Sequence, residues 1–397
     1  MTMSLETPDL LSLAVGFTDN KTLPLGTVCS TVEALTQQSA DPEVLQYGTN
    51  QGRPGLRRLL AEQLAAVEPT LAIDDLSGGM MVTNGSQQAL YLAMQVLCDP
   101  GDIVLVDRPS YFVFLEMLLG LGVQARSLPL DSAGRIDDEA LRRLLLEMET
   151  RGETKRLKAV YFVSYFSNPS ARSLAESEKT AVAEALEERG LIVPVLEDAA
   201  YRDLYYREPF AARSVLSLPA WRTFPKFYLS TLTKSFATGL KVGYGFCSDE
   251  AWLKKMLHVK GHHDFGTANF NQAVFERVLS DGGFKAQLAR IRLAYEAKMR
   301  RLHDTLVAEG LPALGWKWAE PTGGLYLWLE APRSLDTSME SAFCHACIRE
   351  GVLYVPGDLC FGDDAPKNYA RLSFGVLDES DLVEAGRRFV TVARHFA

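Results

Sequence analysis

From residue 79 onward the chain alternates between short apolar runs and stretches of helical period. The apolar runs lie at 80–83, 103–107, 125–128, 159–164, 192–196, 227–232 and 244–247. Continuous runs of this length, rich in Val, Ile, Leu and Phe, are how strands buried on both faces read. Amphipathic stretches at 86–97, 137–149 and 174–189 separate several of them. The last carries Ser173 and Glu176 at the spacing of a capping box. The alternation predicts an α/β fold built on a mostly parallel, doubly wound sheet of seven strands.

After about residue 285 the texture changes. A long helical stretch at 285–309 precedes short runs at 316–319, 324–329, 352–356 and 370–374, with helices at 339–350 and from Glu379. This predicts a smaller α+β domain. Ahead of the sheet come an irregular segment at 13–27, a helix near 26–37, a glycine-rich turn at 45–55 and a helix at 56–67. The expected division is a large domain at 47–284 and a small domain formed by 1–46 with 285–397.

Composition narrows the function classes. With 397 residues, 47% hydrophobic and 23% charged, the chain reads as an ordinary globular protein of two domains. A net charge of −9 gives no reason to expect nucleic acid or an anionic membrane as partner. The N-terminus has no basic region ahead of its apolar residues, and no apolar run reaches spanning length. The six cysteines are scattered, which suits reduced thiols in the cytoplasm. Cys344 and Cys347 read as one helix face, and the adjacent His262 and His263 point different ways, so neither pair predicts a metal site.

Ligands in open α/β sheets sit beyond the carboxyl ends of the strands, so the residues after each run are the candidates. Gly85, Ser86 and Gln87 open a helix after the first run. Free N–H groups and the helix dipole make such a start a phosphate site, although Ser86 alone could be a plain N-cap. Tyr111 follows the second run, and Asn168 the fourth. Asp198 follows the fifth, with Tyr201 three residues on. The sixth ends in Thr231, Thr233 and Lys234, with a second base at Lys241. A lysine at the mouth of a buried strand is unusual, and partial burial favours the neutral amine that attacks carbonyl carbon.

Pyridoxal phosphate needs this whole set. Its aldehyde needs the amine of Lys234. Its phosphate needs Gly85, Ser86, Gln87, Thr231, Thr233 and Lys241, and its ring face an aromatic plate, Tyr111. Its ring nitrogen needs a buried anion, Asp198, to hold a proton, and its phenolic oxygen needs donors, Asn168 and Tyr201.

On the stretches GSQQAL (85–90), SYFVF (110–114), NP (168–169), EDAAY (197–201), TLTK with GLKVGY (231–244), PTGGLYLW (321–328), VLYVPG (352–357) and ARLSF (370–374), the chain resembles fold type I class I/II aminotransferases. It is most similar to the branch holding kynurenine and 2-aminoadipate aminotransferases and the effector domains of MocR-type regulators. The resemblance implies a homodimer with shared active sites and amino-acid and keto-acid substrates. It implies Lys234 as the base that moves the Cα proton, Arg371 and the Gly16 N–H as holders of the α-carboxylate, and Tyr47 as a contact to the partner subunit's cofactor phosphate. A β-eliminating C–S lyase and a non-catalytic cofactor sensor stay open. The chain opens on the enzyme-like segment with no basic helix-turn-helix region, so a DNA-binding regulator is not expected.

Three positions depart from the family pattern. Lys241 stands where an arginine is usual and offers a point charge without a fork. Ala171 replaces the glycine of the turn after Asn168-Pro169, which matters if that position needs positive φ. The N-terminal glycine signature reads Gly16-Phe17-Thr18-Asp19.

Overall fold

The computed structural model describes residues 9–38 and 42–397. In chain order its strands are β1 (Leu11–Ser12), β2 (Met80–Thr83), β3 (Ile103–Val106), β4 (Gln124–Ser127), β5 (Leu157–Val163) and β6 (Val195–Asp198). They continue with β7 (Lys226–Thr231), β8 (Gly243–Cys247), β9 (Tyr326–Glu330), β10 (Val352–Leu353), β11 (Val355–Pro356) and β12 (Tyr369–Ser373). Seven of them form one sheet in the order β2-β8-β7-β6-β5-β3-β4. Only β8 runs against its neighbours, β2 and β7; the remaining pairs are parallel.

The apolar runs are continuous because both faces are covered. In β3, Val104 and Val106 join the core shared with Tyr161, Leu196 and Phe227. Ile103 and Leu105 pack on the other side with Phe162, Val195 and Trp221. Side chains alternate across a strand, so a strand with two buried faces has no solvent-facing positions, and the few polar residues it carries must find partners inside.

Two details differ from expectation. The fifth run, placed at 192–196, pairs instead as Val195–Asp198. Pro194 has no N–H for the ladder and can only precede the paired strand, so the carboxylate of Asp198 ends the strand rather than following it. The helix expected to open with Ser173 and Glu176 begins at Glu176, with Glu178 bonded back to the Ala175 N–H at 3.0 Å. Ser173 instead accepts from the Phe166 N–H at 2.9 Å, within the turn beside the site.

Past the 26-residue helix Gly283–Ala308, β9, β11 and β12 form an antiparallel sheet in the order β11-β12-β9. The run expected at 316–319 contributes a single bridge, Lys317 to Glu330. The N-terminal segment is tied to this part of the fold. β1 pairs in parallel with β10, and Asp19 pairs with Lys298 of the long helix at 2.7 Å. Cys344 and Cys347 are buried on the short helix Ala342–Arg349, whose N-cap Ser341 accepts from the Cys344 N–H at 3.1 Å. Asp264, beside the two histidines, accepts from Lys260 at 2.9 Å. Among the described residues no helix is long and apolar enough to cross a membrane.

Candidate active site

Asp198, the last residue of β6, is buried. Its Oδ1 accepts from the Ala200 N–H at 2.9 Å, and its Oδ2 from the Tyr161 hydroxyl at 3.2 Å. Burial raises its pKa to about 6, the two hydrogen bonds holding it lower than burial alone would. It is therefore an anion at neutral pH, and costly to bury without a cationic partner.

Where β2 ends, Gly85 turns the chain at φ +76° into the helix Gly85–Leu97. The N-cap is Asn84, not Ser86, and its side chain caps nothing in the helix; its amide donates to Asp264 at 2.8 Å. The first-turn N–H groups thus keep their anion-binding capacity. Gly243 of β8 lies directly behind this turn, since a Cβ there would stand 2.4 Å from Gly85 C and 2.6 Å from Ser86 N. Thr231 donates to Thr233 at 2.7 Å, and Thr233 Oγ1 is the atom nearest a Cβ built on Gly85. Lys241 follows in the left-handed region at φ +56°.

Lys234 is half-buried, and its Nζ donates to the carbonyl of Gly16. Burial, helped by the positive charges of Arg371 and Lys241, lowers its pKa to about 8. Arg371, 2% exposed, donates from Nη1 to Asn168 Oδ1 at 2.8 Å and from Nη2 to the carbonyl of Ala14, while its Nε has no hydrogen-bond partner among the described residues. Its guanidinium sits 4.4 Å from the Tyr326 ring centre and 5.3 Å from that of Phe112. Residues 14 and 16 of the N-terminal segment therefore reach the guanidinium and the amine together.

Three comparisons place this chain among known proteins. Residues 8–389 match the family model described as aminotransferase class I and II. The chain belongs to the class I and II aminotransferases. That family uses pyridoxal phosphate as its cofactor. An aromatic-amino-acid aminotransferase of Thermococcus litoralis is 30% identical over 96% of this chain and 88% of its own length. The crystal structure of a Pyrococcus horikoshii kynurenine aminotransferase, in complex with PMP, superimposes with a TM-score of 0.87 at 29% identity, covering 99% of this chain and 92% of that one. An alpha-aminoadipate aminotransferase of Thermus thermophilus, complexed with N-(5'-phosphopyridoxyl)-L-leucine, gives 0.83 at 26% identity over 100% of this chain and 95% of that one.

In this aminotransferase Lys234, Gly16, Arg371, Asn168 and Tyr201 are joined through shared contacts, while Tyr111, half-buried at the start of the helix Phe112–Gly120, lies within the fields of Asp198 and Arg371. Gln87 is exposed, and Tyr47 is 77% exposed, its ring edge-on to Phe265 at 5.4 Å. The turn after Asn168 keeps its positive φ without glycine, Ala171 standing at +54° with its N–H on the Ser167 carbonyl at 2.7 Å. A non-glycine residue there costs on the order of 1 kcal/mol.

Sequence reasoning missed two phenols. Tyr161 holds Asp198, and Tyr326 touches Tyr201, Asn168 and Arg371. Both sit inside runs that read as core, where a buried tyrosine and a buried phenylalanine give the same periodic signal. The usable hint was chemical: a buried phenol finds a hydrogen-bond partner.

Proposed function

We propose that this aminotransferase moves an amino group from an L-amino acid to a 2-keto acid in a ping-pong cycle, with Lys234 as the proton carrier. The observation that carries this reading is the approach of Lys234 and Arg371 to the same stretch of chain, residues 14–16. An amine and a carboxylate-binding fork side by side are what an α-amino acid requires.

Bound pyridoxal phosphate supplies the carbonyl that Lys234 attacks and the protonated ring that spreads the electron pair left when Cα loses its proton. The residues present fit it. The uncapped start of the helix Gly85–Leu97, with Ser86, Gln87, Thr231, Thr233 and Lys241, holds the phosphate. Asp198, ionised above about pH 6, keeps the proton on the ring nitrogen. Tyr111 covers the ring face, and Asn168 and Tyr201 donate to the ring oxygen.

Lys234 works as base and then acid, because a pKa near 8 leaves both forms populated at neutral pH. Arg371 holds the α-carboxylate through its fork, Asn168 keeping the guanidinium in plane, with the Gly16 N–H as a further donor. Tyr47, exposed in its own subunit, contacts the cofactor phosphate of a second copy, so the working unit is a homodimer. The free cysteines fit the reducing cytoplasm.

The test is turnover of purified, cofactor-loaded protein with a panel of amino acids against 2-oxoglutarate and pyruvate. Acceptor-dependent product supports the reading. Ammonia release without an acceptor would make the protein a lyase, and no turnover in either format would leave it a sensor.

A further inference from the structure

Tyr326 opens β9 and is 1% exposed. Antiparallel pairing sets Arg371 opposite Trp328 and Ser373 opposite Tyr326, so Tyr326 and Arg371 are diagonal neighbours on one face. The ring of Tyr326 lies under the guanidinium, and its hydroxyl reaches past it. That hydroxyl stands 3.0 Å from Tyr201 Oη and 3.5 Å from Asn168 Nδ2, and a Cβ on Gly16 would meet it at 2.6 Å.

The direction of the bonds follows from counting protons. Asn168 Nδ2 can only donate, so Tyr326 Oη accepts from it. If Tyr201 also donated to Tyr326, the proton of Tyr326 would have no acceptor among the described residues, a loss that buried groups avoid. With the ring oxygen of the bound cofactor as acceptor of the remaining proton, the arrangement that uses every group runs from Asn168 N–H to Tyr326 O–H to Tyr201 O–H and on to that oxygen. Accepting one bond also strengthens the next one donated.

We propose that Tyr326 is a positioning residue that orients the proton of Tyr201 toward the ring oxygen of the bound cofactor. The proposal rests on the reading of Tyr201 as a donor to that oxygen. Burial, together with Tyr326 and Tyr111, holds the Tyr201 phenol well above its usual pKa against the opposing charge of Arg371, so it keeps its proton through the working pH range.

The experiment is a pH titration of the visible absorbance of the cofactor-loaded protein, without substrate, for wild type, Y201F, Y326F and the double variant. A donor to the ring oxygen favours the deprotonated form, so losing it moves the midpoint up. Y201F should shift it by about 1–2 pH units, the size of one hydrogen bond to a charged acceptor. Y326F should shift it in the same direction by roughly a few tenths of a unit. The double variant should match Y201F alone, because Tyr326 acts through Tyr201. A wild-type midpoint in Y326F, or additive shifts in the double variant, overturns the relay and leaves the role of Tyr201 standing. A wild-type midpoint in Y201F overturns that role and the relay with it.

Discussion

Lys179 and Glu197 form an ion pair at 2.8 Å with both side chains fully buried, one residue before Asp198 on β6. The Glu197 carboxylate also accepts from Ser164 at 2.5 Å and from the Val215 N–H at 3.1 Å. Adjacent carboxylates on a strand face opposite sides, so Glu197 locks the strand from one side and Asp198 faces the site on the other. Lys179→Met should lower stability by about 3–5 kcal/mol, because it strands a buried charge. Urea unfolding of the cofactor-free protein measures this; a loss below about 1 kcal/mol would mean that water or another group compensates.

Asp198 makes a prediction with a definite sign. Its folded pKa, about 6, lies above the reference value of 3.8, so folding takes up a proton between the two. The stability it contributes is fully present below about pH 4 and is lost as pH rises through about 6, a swing of about 3 kcal/mol. Asp198→Asn should therefore flatten the pH dependence of cofactor-free stability in that window. The same variant, cofactor-loaded, should lose turnover roughly a hundred- to a thousandfold, the scale of a lost preorganised charge. Unchanged turnover would remove Asp198 from the ring nitrogen.

Lys234→Ala should lower turnover by about 10²–10⁴-fold while cofactor stays bound through its phosphate and ring contacts. Borohydride treatment of the wild type, then peptide mapping, should place the pyridoxyl label on Lys234. Label on Lys241 would exchange the roles of the two lysines.

Tyr47 tests the dimer. Tyr47→Phe removes one hydrogen bond to a charged acceptor, about 1.5–3 kcal/mol, so cofactor affinity should weaken about ten- to a hundredfold with the dimer intact. The sharper measurement mixes two inactive chains under subunit exchange, one Lys234→Ala and the other Tyr47→Ala with a disrupted loop. Returned activity means that Tyr47 serves the neighbouring subunit, whereas silence despite proven exchange places its action within its own chain.

The sequence alone determined that the chain builds a mostly parallel sheet of seven strands, because strands buried on both faces are largely apolar and the helices between them keep a readable period. It also marked candidate site positions, since polar residues such as Asp198, Lys234 and Asn168 stand out against apolar runs. Tertiary structure decided the rest. Pro194 moved the paired strand two to three residues and made Asp198 its last member. Glu178 took over the helix start, freeing Ser173 for the Phe166 turn. Ala171 holds a glycine-like φ because bonds on both sides of it impose the turn. Tyr161 and Tyr326 were invisible as site residues, because a phenol's partner is chosen across strands and loops far apart in the chain. The pattern of one chain records which positions are buried, while which hydroxyl meets which carboxylate, amide or phenol is set only once the strands are in register.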